Sequence, residues 1–222
     1  RVAFDRLEWR DWKENAQKSV ELNDLDGRAA FSFAMTLTNV GQYEEAYRWY
    51  EVAISKNPSI PFYREAAITA HIWGANYESA LAQTEQYLAV GGDKNAYHVF
   101  RAYTQNRLGL EEESQRSLAK VSEEPMLVVM WVTPGYYDYL RCKSGEKAEV
   151  FTELKEIKID AARELRIQHC AAGANDTQAI FDSFDRTIAD GQIIYLTDIV
   201  TEEVKADPRW QPSARYMDYP KI

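Results

Sequence analysis

Apolar residues recur along this chain at three- and four-residue spacing, in short stretches broken by glycine, asparagine or proline. Between 27 and 60, Ala30, Phe33, Ala34 and Leu37 share one helical face, and Tyr43, Ala46, Tyr50, Ala53 and Ile54 share another. Asn39, Val40 and Gly41 separate the two stretches, and Asn57 with Pro58 stops the second. The pattern predicts two amphipathic helices folded back on each other. Alanines on the facing sides let the backbones approach closely, and the tyrosines fill the remaining volume. One such hairpin cannot bury both of its faces, so it requires copies of itself.

The chain supplies the copies. GQYEEA at 41–46 recurs 34 residues later as ANYESA at 75–80, and 34 residues after that as GLEEES at 109–114. One step backwards gives LEWRDW at 7–12. Ala34, Tyr43, Ala46, Tyr50, Ala53 and Pro58 sit at signature positions of the tetratricopeptide repeat, and the chain resembles that family. The resemblance implies an all-α fold: a right-handed solenoid of antiparallel helix pairs, about five to six repeats long with a C-terminal capping segment.

On that pattern, 1–26 holds the second helix of a truncated repeat, in which Trp12 departs from the family by standing where alanine is expected. Residues 27–59, 60–93 and 94–124 are clear repeats, 125–159 and 160–189 divergent ones, and 190–222 a cap over the last apolar face. From 123 the periodicity loosens. Pro134 is expected to kink a first helix or to precede it, and a slip of about two residues puts Gly145 at the next turn. The stretch 23–27 lacks the distal glutamate of a calcium loop, and reads as a helix start capped by Asp24 or Asp26. NDT at 175–177 matches a glycosylation sequon and otherwise reads as a turn.

Charge narrows the function. The 222 residues carry 35 acidic and 26 basic side chains, a net charge of −9. That excess argues against a nucleic-acid surface and against attraction to an anionic membrane. The longest apolar run, Met126 to Val132, falls far short of the roughly 18 residues a membrane-spanning helix needs. The two cysteines, Cys142 and Cys170, fall in first helices of neighbouring repeats. Two buried apolar thiols is the preferred reading, with a single bridge as the alternative.

No phosphate-binding glycine loop, HExxH, CxxC or GxSxG string is present, so no catalytic residue and no cofactor is expected, and the chain does not read as an enzyme. His71, His98 and His169 lie on three different first helices, without acidic or thiol partners at metal-ligand spacing.

In tetratricopeptide proteins the first helices line a concave groove through their fifth, ninth, twelfth and thirteenth positions. Carried onto this chain, the resemblance places Phe31, Met35 and Asn39 there, then Glu65, Thr69 and Trp73, then Val99, Tyr103, Asn106 and Arg107. With the slip, Tyr139 and Lys143 follow, then Leu165 and His169. Phe31, Val99 and Leu165 are expected to pack between repeats. Trp73, Tyr103, Asn106, Arg107, Tyr139, Lys143 and His169 are the candidate partner-binding residues. Phe31 and Met35 replace the Lys and Asn that clamp a C-terminal carboxylate in chaperone adaptors, so that role is not expected.

The expected function is a non-catalytic module that holds a partner peptide or helix in the groove, with self-association open. A small-ligand sensor with a metabolite in the concave pocket is the alternative. The Asp11–Trp12 pair and the string ADPRWQP at 206–212 are similar to C-terminal regions of bacterial signalling proteins. Those are winged-helix transcription activators of the ToxR and CadC kind and class III adenylate cyclases. That likeness implies a regulatory part of a larger protein with its effector domain upstream, in the cytoplasm or the periplasm.

Overall fold

A computed structural model describes residues 6–22, 27–39, 41–91, 94–122, 132–190 and 199–210. The expected cap at 24–26, the apolar run at 126–131, the segment 191–198 and everything beyond Trp210 lie outside these residues, as do the side chains of Trp9 and Trp12.

The described residues form helices and no strand. In order these are α1 (Arg6–Leu22), α2 (Gly27–Asn39), α3 (Tyr43–Lys56), α4 (Pro61–Trp73), α5 (Tyr77–Ala89), α6 (Lys94–Arg107), α7 (Glu111–Leu118), α8 (Val132–Lys143), α9 (Lys147–Leu154), α10 (Asp160–Gly173), α11 (Thr177–Ala189) and α12 (Glu202–Ala206). The pairs α2–α3, α4–α5, α6–α7, α8–α9 and α10–α11 pack as hairpins, and α1 lies against α2. Successive hairpins meet through α3–α4, α5–α6 and α9–α10. First helices also touch directly, α2 with α4, α6 with α8, and most extensively α8 with α10.

One turn geometry joins all five hairpins. Gly41, Ala75, Gly109, Gly145 and Asn175 take φ of 74°, 55°, 76°, 106° and 54°. After each, the next N–H donates to the carbonyl five residues earlier: Gln42 to Leu37 (2.8 Å), Asn76 to His71 (2.9 Å), Leu110 to Gln105 (2.9 Å), Glu146 to Arg141 (3.0 Å) and Asp176 to Ala171 (2.8 Å). This is the Schellman closure, in which a left-handed residue turns the chain and satisfies carbonyls left over at the helix end. From 41 to 75, 109, 145 and 175 the steps are 34, 34, 36 and 30 residues. The slip before Gly145 is therefore real, and the next interval is shortened.

Small and aromatic side chains fill the seams. Ala34, Ala46, Ala53, Ala70 and Ala80 are fully buried, and Tyr50 lies among the first group. At the far end Ile199 and Val204, with half-buried Trp210, pack on Ala171, Ile180, Phe181 and Phe184 of the last hairpin. Burying such faces is the dominant favourable term in folding.

Two features around α8 differ from the sequence expectation. Pro134 does not precede its helix, as one of the two expectations had it. It lies in the first turn of α8, where its missing N–H has no intrahelical acceptor to lose. Cys142 of α8 and Cys170 of α10 are not free thiols but a disulfide, with Cα atoms 5.2 Å apart. Close crossing of the two first helices makes the bridge reachable. A Cβ on Gly135 would meet the His169 ring at 2.9 Å, so a larger residue there would force α8 and α10 apart.

Candidate partner-binding face

The candidate residues divide into a buried set and a reachable set. Tyr103 is fully buried, stacked on Tyr136 with ring centroids 4.2 Å apart and edge-on to Tyr139 at 5.1 Å. His169 is 1% exposed; its Nδ1 lies 2.8 Å from the Leu165 carbonyl and its ring meets Tyr136 edge-on. Asn106 is 7% exposed and works as a connector: its Nδ2 donates to Glu111 (2.9 Å) and its Oδ1 accepts from Lys143 (3.0 Å). The groove reading is corrected for these three. Because α6, α8 and α10 pack first helix against first helix, positions that would line an open channel sink into the seams.

Among the residues expected to pack between repeats, Val99 is fully buried. Phe31 is half-buried in an aromatic group with Tyr50, Phe62 and Tyr63, and Leu165 is half-buried beside α8 and α11.

The reachable set lies at the ends of the first helices. Asn39, Trp73, Arg107 and Lys143 each stand two residues before a left-handed turn residue, so they occupy one equivalent position in four hairpins. Asn39, Trp73 and Arg107 are half-buried and Lys143 is exposed. Trp73 rests on the cluster built around Ile68, Ile72 and Tyr97. The Arg107 guanidinium stands 5.3 Å over the Tyr77 ring. Lys143 also reaches Glu111 at 3.4 Å. Tyr139, half-buried one turn earlier on α8, packs against the same cluster. Cations at the C-terminal ends of α6 and α8 also complement the helix dipoles.

A second polar system joins α8 to α9 and α10, and α10 to α11, and had no signal in the sequence. Asp138 of α8, fully buried, accepts two bonds from Arg166 of α10, at 2.6 and 3.1 Å. Glu164 accepts from Ser183 (2.7 Å) and from Arg186 (2.9 Å) on α11. Arg141 bonds Glu153 (2.6 Å) and Glu146 (2.8 Å), and this pairing lowers the Glu153 carboxyl from its usual range. These pairs join positions a dozen or more residues apart in most cases, so no local motif announces them.

The three histidines stay apart in character. His71 stacks on Tyr47, His98 faces Arg101 at 3.3 Å, and His169 sits in the α8–α10 seam. Among the described residues no group of three His, Cys, Asp or Glu side chains is placed to hold a metal, and no helix is long and apolar enough to cross a membrane.

No protein-family model, curated protein or solved structure matches this chain.

What the face can do follows from its residues alone. Trp73 and Tyr139 offer apolar ring area, and Arg107 and Lys143 offer charged N–H donors held by their neighbours. Lys143 spends two of its three donors on Asn106 and Glu111. Such a surface suits a partner carrying carboxylates beside an apolar anchor.

Proposed function

We propose that this chain is a tetratricopeptide-type solenoid acting as a non-catalytic docking module. Its partner is a protein segment with acidic and apolar side chains, laid along the row from Trp73 through Arg107 to Lys143. The observation that carries this reading is the repetition of one reachable position, two residues before each turn, with an aromatic and then two cations in successive hairpins. The five identical turns favour the tetratricopeptide assignment over an irregular helical domain. The likeness of 206–212 to bacterial signalling proteins favours a regulatory role within a larger protein. The Cys142–Cys170 disulfide favours an oxidising compartment, and so the periplasm over the cytoplasm.

Peptide display against the whole chain, followed by titration of the selected peptides, tests the reading. Enriched peptides should pair Asp or Glu with an apolar residue. Arg107→Ala and Lys143→Glu should each weaken them by about tenfold, with the helical circular dichroism unchanged. Selected peptides that bind both variants as tightly as the wild type would overturn it.

A further inference from the structure

The chain carries, on its own surface, a segment of the chemistry that the docking row selects. Among the described residues, the large apolar side chains of Leu22, Val90, Leu110 and Ile159 stand exposed. Glu21 beside Leu22 accepts from Gln17, and Asp160 beside Ile159 pairs with Arg163. Val90 has Ala89 and Gly91 for neighbours. Leu110, 40% exposed, leads instead into Glu111, Glu112 and Glu113. Glu111 is held by Asn106 and Lys143, and Glu113 by Arg116. Glu112 is exposed and enters no hydrogen bond or ion pair among the described residues.

Place in the fold singles out the same segment. Leu22 and Val90 close α1 and α5, and Ile159 opens α10, so these three lie on the edge where one hairpin follows another. Leu110 lies in the α6–α7 turn, on the opposite edge, which also carries Arg107 and the rest of the docking row. Arg107 leans toward α5, over the Tyr77 ring, and Glu111 leans toward Lys143 of α8. Leu110 therefore has a cation on one flank and acids on the other.

That arrangement is self-complementary. If a two-fold axis passes through Leu110, apolar side chains meet at the axis and the cation of each copy faces the acid of the other. A head-to-tail contact would need its two halves on separate surfaces, whereas here they share one. Each copy carries a net charge of −9, so long-range repulsion opposes the encounter. Local pairing of opposite charges has to offset that repulsion, which makes the contact weak and fixes its register.

We propose that the segment taken by the docking row is the α6–α7 turn of a second copy of this chain. The two copies form a two-fold dimer with Leu110 at its centre, and Arg107 of each pairs with Glu112 of the other. This rests on the docking reading and names its partner.

Sedimentation equilibrium on the whole chain, with its disulfide intact and at concentrations up to about 0.5 mM, reads the association. The wild type should show a monomer–dimer equilibrium. Arg107→Glu and Glu112→Arg should each weaken the dimer by about tenfold or more, because each sets like charges against one another across the axis. An equimolar mixture of the two variants should associate where neither does alone, since each supplies the charge the other lacks. Glu112 is exposed and unengaged, so its variant reads the interface even if Arg107→Glu disturbs the contact with Tyr77. A wild type that stays monomeric, a dimer that both variants leave intact, or a mixture of folded variants that fails to associate would overturn the proposal. Display-selected peptides that still lose affinity on Arg107→Ala would then leave the docking row standing with a different partner.

Discussion

Gly173 at the end of α10 lies against the main chain of α8 at Tyr139: a Cβ on Gly173 would stand 2.1 Å from the Tyr139 carbonyl oxygen. Backbone cannot step aside as a flexible side chain can, so the two helices would have to separate. Gly173→Ala should therefore cost about 3 kcal/mol, read from urea denaturation. Gly41→Ala is the control. Its Cβ would meet nothing within 4 Å, and φ of 74° alone should cost about 1 to 2 kcal/mol. Equal effects at the two sites would mean that α8 and α10 do not meet closely.

The same seam carries the Cys142–Cys170 bridge across a separation of 28 residues. Closing a loop of that length in the unfolded chain should contribute about 3 to 4 kcal/mol. Unfolding with and without reductant should differ by that amount. Alkylation of the unreduced, denatured chain should modify neither thiol, because neither is free. Two alkylated thiols without reductant would contradict the bridge.

Much of this architecture was legible in the sequence, for reasons that also mark where legibility ended. Gly41, Gly109 and Gly145 advertise left-handed turns, because glycine adopts positive φ without steric cost. Ala75 advertises nothing by itself, and its turn was readable only through the 34-residue period. Helical periodicity tells which face of α6 or α10 is apolar. It does not tell whether that face meets water or another first helix, which is why Tyr103 and His169 read as groove and proved to be core. The choice between two thiols and a bridge was likewise out of reach, since it depends on how closely α8 crosses α10, and that is set by Gly135 and Gly173 acting at a distance in sequence.

Asp138 and Arg166 give the seam a charged component. Asp138→Asn leaves the Arg166 guanidinium largely buried with a weakened acceptor, and should cost about 3 to 4 kcal/mol. Replacing both, as Asp138→Leu with Arg166→Met, removes the two charges together and should recover most of that loss. Thermal or denaturant unfolding of the single and double variants measures the coupling. A double variant less stable than Asp138→Asn by the full cost of a second lesion would show that the pair does not act as a unit.

His71 makes stability depend on pH in a definite direction. Tyr47 stacks on it, Gln83 lies 2.9 Å from its Nε2, and Glu51 and Gln86 line a cavity with it, yet burial dominates and lowers the imidazole from 6.5 to about 4. Above pH 6.5 the ring is neutral in both the folded and unfolded chain and contributes no slope. Between 6.5 and about 4 the unfolded chain takes up a proton that the folded chain refuses, so stability falls as pH falls. Below about 4 both states are protonated and the loss is complete. The loss should be about 3 kcal/mol by pH 4. His71→Phe keeps a ring over Tyr47 without the titrating nitrogen, and carboxylates such as Asp176 and Glu153 titrate alike in both proteins. The difference in unfolding free energy between wild type and variant should thus shift by that amount between pH 7 and pH 4, against the wild type. A constant difference across that range would show that His71 is not held neutral by burial.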